Sequence, residues 1–270
     1  MTATNVSAPP QTEDRPSTAA GADIAVRIDK VSKRFDLRSD PPPVLDELSL
    51  DIAPGEFVAL LGASGCGKST LLNLVAGLEP VTSGRIEVAG GPAALMFQEP
   101  ALFPWLTAGR NVELALRLRG VPRAERTAEV QRLLELVRLG HSYQTRIHEL
   151  SGGMRQRVAL ARALAQNAPV LLMDEPFAAL DAITRDLLHD ELTRIWSETG
   201  LTIVFVTHNV REAVRLGQRV VLMSSRPGRV VKQWPVDIPQ PRRIEAPDVA
   251  HLAGVITEDL RKEIRRHGHH

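Results

Sequence analysis

Phosphate chemistry is written into the stretch Gly62-Ala63-Ser64-Gly65-Cys66-Gly67-Lys68-Ser69, which fits the spacing G-x-x-x-x-G-K-[ST]. Glycines at these spacings let backbone N–H groups turn inward around phosphate oxygens, because no Cβ stands in the way. Lys68 adds a full positive charge near the β- and γ-phosphates of a triphosphate, and the Ser69 hydroxyl suits a Mg²⁺ ion. Ser69 and Thr70 open a helical run whose positive end, worth about half a charge, points at the same phosphates. Cys66 either leaves the loop backbone no room for a bulky group or simply fills a small space beside the helix.

Two further stretches supply groups of the same chemistry. Val170-Leu171-Leu172-Met173-Asp174 is an apolar run ending in an acid. Asp174 at a strand end can hold Mg²⁺ through water, and Glu175 is placed to take a proton from an attacking water. An Asp-Glu pair alone is as readily a helix cap; downstream of a phosphate loop the catalytic reading prevails. In Leu150-Ser151-Gly152-Gly153-Met154-Arg155-Gln156-Arg157, Ser151 is a good N-cap and the glycines leave N–H groups exposed at a helix start. This is a second anion site, separate from the first.

The elements that must position these groups follow from the apolar pattern. Ile24, Val26 and Ile28 alternate with polar residues, as does the region of Leu45, Leu48, Leu50 and Ile52, which Pro54-Gly55 ends. Residues 57–61, 94–97, 170–174, 202–207 and 219–223 are short apolar runs, with Gln98 just past one of them. From about residue 101 to residue 167 the period is helical, with Val130, Leu133, Leu134 and Val137 on one face. Near-continuous apolar strands alternating with helices imply an α/β fold with a mainly parallel sheet covered on both faces. Residues 1–22 are rich in Ala, Thr, Ser and Pro and are expected to be disordered. Asp40-Pro41-Pro42-Pro43 marks a loop. A short terminal helix is expected to bury Leu252, Val255, Ile256, Leu260 and Ile264 and to present Arg261, Lys262, Arg265 and Arg266 to solvent.

Composition narrows the class. The 270 residues are 43% hydrophobic and 24% charged, ordinary for a globular chain. A net charge of +1 argues against a nucleic-acid partner, since no excess of cations is available to neutralise phosphates. One cysteine allows no intrachain disulfide. No run approaches the roughly 18 apolar residues that span a bilayer, and no basic head with an apolar core marks a secretory signal. Any membrane work therefore falls to another chain.

The ordered set Gly62 to Ser69, Gln98, Leu150-Ser151-Gly152-Gly153, Leu171 to Glu175, Ala179-Leu180-Asp181 and His208 resembles the nucleotide-binding subunits of ABC transporters. The resemblance runs from about Ile24 to Arg229 and implies a phosphate-loop NTPase fold, with an antiparallel β part on the N-terminal side and an inserted helical subdomain. It implies an ATPase domain over residues 23–233, its helical subdomain at about 101–167, and a C-terminal extension over 234–270. It further implies that Phe35 stacks on adenine, that Gln98 touches Mg²⁺ and the attacking water, and that His208 contacts the γ-phosphate. Taken alone, Phe35 divides evenly between a core aromatic and an adenine platform. Two copies would sandwich two ATP molecules, each γ-phosphate meeting the phosphate loop of one copy and Ser151-Gly152-Gly153 of the other, with Asp181 communicating across the interface.

Met154, Gln98-Glu99-Pro100-Ala101-Leu102-Phe103-Pro104-Trp105 and Ser225-Arg226-Pro227-Gly228-Arg229 resemble the branch serving importers of nitrate, sulfonate or taurine. Met154 stands where glutamine is commoner. The resemblance implies two membrane permease subunits, a separate solute-binding protein, and a peripheral place on the cytoplasmic face of the cell membrane. Leu102-Phe103-Pro104-Trp105 is the candidate docking groove, with plain core packing an equal alternative. A soluble ABC-type ATPase acting outside transport is the competing function, disfavoured by the near-neutral charge and the lack of a long coiled-coil insertion.

Overall fold

In the computed structural model, which describes residues 24–35 and 42–267, two sheets and seven α-helices are formed among the described residues. The N-terminal tail and part of the Asp40–Pro43 loop lie outside the described residues. Strands β1 (Val26–Lys33), β2 (Leu45–Ile52) and β4 (Ser83–Val88) form an antiparallel sheet in the order β2-β1-β4. Its alternation is the one expected: Val26, Ile28, Leu48, Leu50 and Ile52 face inward.

The larger sheet has the order β5-β6-β7-β3-β8-β9, with β3 (Phe57–Leu61), β5 (Ala94–Met96), β6 (Val170–Asp174), β7 (Thr202–Val206), β8 (Arg219–Met223) and β9 (Val230–Pro235). Every pairing is parallel except β8 with β9. Strands β3 and β7 are buried at every residue, which explains why they read as unbroken apolar runs. The register sets the site. Leu60 pairs with Val206, and Asp174 pairs with Val206 on the other side of β7, so β3, β6 and β7 end at one edge. Whatever follows these strands is delivered to a single place.

Helix α1 (Lys68–Val75) follows β3 and inserts Leu71 and Leu72 between the two sheets, where burial of each contributes about 1.5–3 kcal/mol. The helical segment holds α2 (Ala108–Leu118), α3 (Arg123–Leu136) and α4 (Gly152–Leu164). Val130, Leu133, Leu134 and Val137 are buried together in a core that also holds Phe57, Phe177 and Phe205 beneath the large sheet. Helices α5 (Ala182–Thr199) and α6 (Val210–Leu216) lead into and out of β7.

The C-terminal segment differs from its sequence reading. The boundary at residue 234 falls inside β9, whose Trp234 is buried. The terminal helix α7 is long, Pro247–His267, and packs on α6 with Val249, Ala253 and Ile256 buried. Val255 and Ile264, expected on the inner face, are 40% and 45% exposed. The buried stripe follows the apolar surface of α6 and β8, with Leu252 and Leu260 partly buried along it.

Candidate functional site

The phosphate loop leaves the buried end of β3 and turns into α1 through Gly67, whose φ of +96° is open to glycine at little cost. Added side-chain bulk has no room at two of the loop glycines: a Cβ on Gly67 would lie 2.7 Å from Leu45 Cδ2, and one on Gly62 2.5 Å from Cys66 Sγ. Lys68 is buried, and its Nζ donates to the carbonyls of Gly62 at 2.9 Å and Ala63 at 3.1 Å. The ammonium is thus held over the loop that its charge serves. Cys66 is buried beside it, 3.8 Å from Nζ. Burial pushes the thiol above its ordinary pKa, with Lys68 opposing.

Ser64, Gly65, Gly67, Lys68, Ser69, Thr70, Gln98, Asp174 and Glu175 line one cleft of about 410 Å³, together with Val44. Half of the residues singled out by sequence therefore meet in this cleft. Val44 was not foreseen; nothing in a lone valine before β2 marks it.

Asp174 sits half-buried at the end of β6, and burial raises its pKa. Glu175 adds to the rise, while the Ser69 hydroxyl and Lys68 hold it back. Glu175 turns off the strand with φ +42°, a left-handed conformation that costs a non-glycine residue about 1–2 kcal/mol. Its backbone N–H bonds to Val206 O at 3.0 Å, tying the turn to β7. Its carboxylate reaches across to His208, with Oε2 2.7 Å from Nδ1. The His208 side chain is otherwise exposed, at 63%. A carboxylate, an imidazole and a buried ammonium thus stand at one strand edge.

Gln98 lies just beyond β5, and its carbonyl accepts from Gln156 Nε2 of α4 at 3.0 Å. Arg162 of the same helix donates to Pro100 O at 2.8 Å and Ala101 O at 2.7 Å. Phe35 is 61% exposed with Lys33 Nζ 4.9 Å over its ring, which removes the core-aromatic alternative.

Ser151, Gly152, Gly153 and Asp181 do not join this cleft. Ser151 caps α4, accepting from Met154 N at 3.2 Å, and Asp181 caps α5, accepting from Thr184 N at 2.9 Å. The two helix tips pack together: a Cβ on Gly153 would stand 2.5 Å from Thr184 Cγ2. So Gly153, itself buried, serves close helix packing. Trp105 is 71% exposed and stacks obliquely on Phe103 at 5.5 Å. Phe103, Trp105, Leu106, Arg110 and Glu113 line a separate groove, while Leu102 of the same segment packs against the core.

A phosphate-gripping loop ahead of a helix and a strand-end Asp-Glu pair on a mainly parallel sheet define a phosphate-loop nucleoside triphosphatase. Residues 45–178 match the family model described as ABC transporter, and relatives as similar as those below extend the match. The chain belongs to the ABC transporter family, among its ATP-binding, ATP-hydrolysing proteins. It is 47% identical over 214 residues to the taurine import ATP-binding protein of Mesorhizobium japonicum, covering 77% of this chain and 82% of that one. To the protein of the same name from Roseobacter denitrificans it is 44% identical over 215 residues, 77% and 80% of the two chains. A solved dimer of an ATP-binding cassette in a post-hydrolysis state, bound to ADP and Pi, superposes with a TM-score of 0.70 at 32% identity over 79% of this chain and all of that one. The structure of cbiO1 from Clostridium perfringens, part of an ABC transporter complex, gives 0.73 at 25% identity over 92% and 98%.

Proposed function

We propose that the chain is the ATP-hydrolysing subunit of a membrane importer of the taurine type, a carrier of small sulfonates. The solute class rests on the names of the relatives; the chemistry rests on the contact between Glu175 and His208 beside the phosphate loop. Backbone N–H groups of residues 62–69, with Lys68, grip the phosphates, and Phe35 stacks on the adenine. Glu175 takes a proton from water as the water oxygen bonds to the γ-phosphorus. The bond from that phosphorus to the bridging oxygen breaks, giving ADP and inorganic phosphate. His208 holds Glu175 and donates toward the γ-phosphate.

Among the described residues no three His, Cys, Asp or Glu side chains form a metal cage. That suits Mg²⁺, which takes one or two protein oxygens and completes its shell with water and phosphate. The Ser69 hydroxyl, Asp174 and Gln98 line the cleft and would hold it; bound there it neutralises charge on the β- and γ-oxygens.

Within one chain the Ser151 tip lies outside the cleft, so it completes the site only from a second copy. Asp181, packed beside that tip through Thr184, would carry the signal across. No helix among the described residues is long and apolar enough to cross a membrane. Two permease subunits would supply the span, docking on the Trp105 groove from the cytoplasmic face, with a separate solute-binding protein delivering the substrate. The test is ATP hydrolysis in proteoliposomes holding this chain with the permease and binding protein encoded beside it. Taurine-stimulated turnover is expected; turnover indifferent to taurine and to related sulfonates overturns the solute class.

A further inference from the structure

Behind the Glu175–His208 contact lies a buried polar cluster that the hydrolytic chemistry does not itself use. His189 of α5, Glu212 of α6 and Thr207 at the end of β7 are at most 6% exposed. The Glu212 carboxylate accepts from both neighbours: His189 Nε2 lies 2.6 Å from Oε1, and Thr207 Oγ1 donates to Oε2. A carboxylate can only accept, so Nε2 carries the hydrogen. Thr207 Oγ1 in turn accepts from Asn209 N at 3.0 Å, and Asn209 Oδ1 caps α6 through Arg211 N at 3.0 Å and Glu212 N at 3.3 Å.

His208 is therefore bracketed. The residue before it and the residue after it are both held, while its own ring stays exposed and reaches Glu175. The cluster also touches the segment that carries Glu175. The His189 ring packs at 5.6 Å on Phe177, a buried residue of the turn that follows Glu175. Arg215 closes the far side, with Nη1 3.5 Å from His189 Nδ1 and ion pairs to Asp186 at 2.7 Å and Asp190 at 2.8 Å. One carboxylate thus links the two turns whose side chains meet at the reaction centre.

We propose that Glu212, through Thr207 and with His189 as its anchor, is a positioning residue for hydrolysis: it sets where His208 stands relative to Glu175. Burying a carboxylate is costly, and a well-packed apolar side chain at the same place would serve stability as well or better. What an apolar side chain would not do is fix the Thr207 hydroxyl, and with it the direction in which His208 leaves β7. Misplacement of a reacting group by about 1 Å can cost on the order of 100-fold in rate.

This inference rests on the hydrolytic roles proposed for Glu175 and His208, so both are tested beside it. Steady-state ATPase activity of the full chain is measured for Thr207→Val, Glu212→Leu, Glu212→Gln, His208→Ala and Glu175→Gln, with affinity for a fluorescent ATP analogue and thermal midpoint recorded for each. Thr207→Val keeps shape and removes only the hydroxyl; it is expected to lower kcat by about tenfold or more, leaving KM and nucleotide affinity within about twofold. Glu212→Leu does the same. Glu212→Gln recovers most of the rate, because the amide can accept from His189 and donate to Thr207. The ¹⁵N signal of His208 Nδ1, identified by its loss in His208→Ala, is expected to shift in Thr207→Val. Unchanged kcat and an unmoved His208 signal in Thr207→Val, with His208→Ala and Glu175→Gln inactive, overturn the positioning role alone. Near wild-type rates in His208→Ala and Glu175→Gln overturn the catalytic reading beneath it. If Glu212→Leu fails to fold, Thr207→Val and Glu212→Gln still decide the matter.

Discussion

Glu175 Oε2 and His208 Nδ1 lie 2.7 Å apart although the two residues leave different strands. The contact exists because β6 and β7 are paired in a register that ends both at the same edge. Glu175→Gln keeps the shape of the side chain and removes its basicity. The expected result is retained ATP binding, hydrolysis lower by about 100-fold or more, and a dimer that accumulates with ATP in gel filtration. Turnover near the wild-type rate would remove Glu175 from the role of base.

Cys66 offers a probe of the loop. Its thiol is buried and held above the ordinary pKa, so little thiolate is present near neutrality. Modification by a maleimide should be slow at pH 7 and accelerate as pH rises toward the thiol's raised pKa. ATP bound beforehand should slow it further, and the labelled protein should no longer bind ATP. Undiminished nucleotide binding after complete labelling, checked by mass spectrometry, contradicts the crowding seen around Gly62 and Lys68.

Asp174 carries a linkage of definite sign. Burial raises its native pKa, so the folded chain holds this proton more tightly than the unfolded chain does. Its contribution to stability is greatest below the unfolded value of about 3.9 and is lost as pH rises through the native value. At pH 7 the charged carboxylate is a cost, and Asp174→Asn should raise the thermal midpoint of the nucleotide-free chain. The same change should erase the extra stabilisation that Mg²⁺ adds to ATP. Calorimetry with and without Mg-ATP measures both; a lowered midpoint without nucleotide would be the wrong sign.

Gly153 separates two explanations of one glycine. If only N–H exposure mattered, alanine would be tolerated there. The 2.5 Å approach of a Cβ to Thr184 Cγ2 instead predicts that Gly153→Ala pushes α4 from α5, costing about 1–3 kcal/mol. Adding Thr184→Ser removes the obstructing methyl and should restore stability and hydrolysis together. Denaturant midpoints and ATPase rates of the single and double variants decide; a double variant no better than the single one would exclude the clash.

These sites differ in how far the chain announced them. The phosphate loop, the strand ending at Asp174 and the α3 face of Val130, Leu133, Leu134 and Val137 were legible, because each is local and each repeats a period. Strand β9 was not: only Trp234 among its central residues is buried, and an edge strand ending in proline leaves no alternation to read. The stripe on α7 was misjudged because Val255 and Ile264 share the period of the buried residues while lying on the solvent side. The clamp from Gln156 to Gln98 and the His189–Glu212–Thr207 cluster join residues far apart in sequence, and no spacing rule can bring them together.

That one triphosphate is held between two copies of the chain is tested most directly by a crystal structure of Glu175→Gln with ATP and Mg²⁺. The terminal phosphate is expected to lie against Lys68 of one copy and within hydrogen-bond reach of the partner's Ser151. A terminal phosphate bound at Lys68 with no contact to the partner's Ser151 would contradict the shared site.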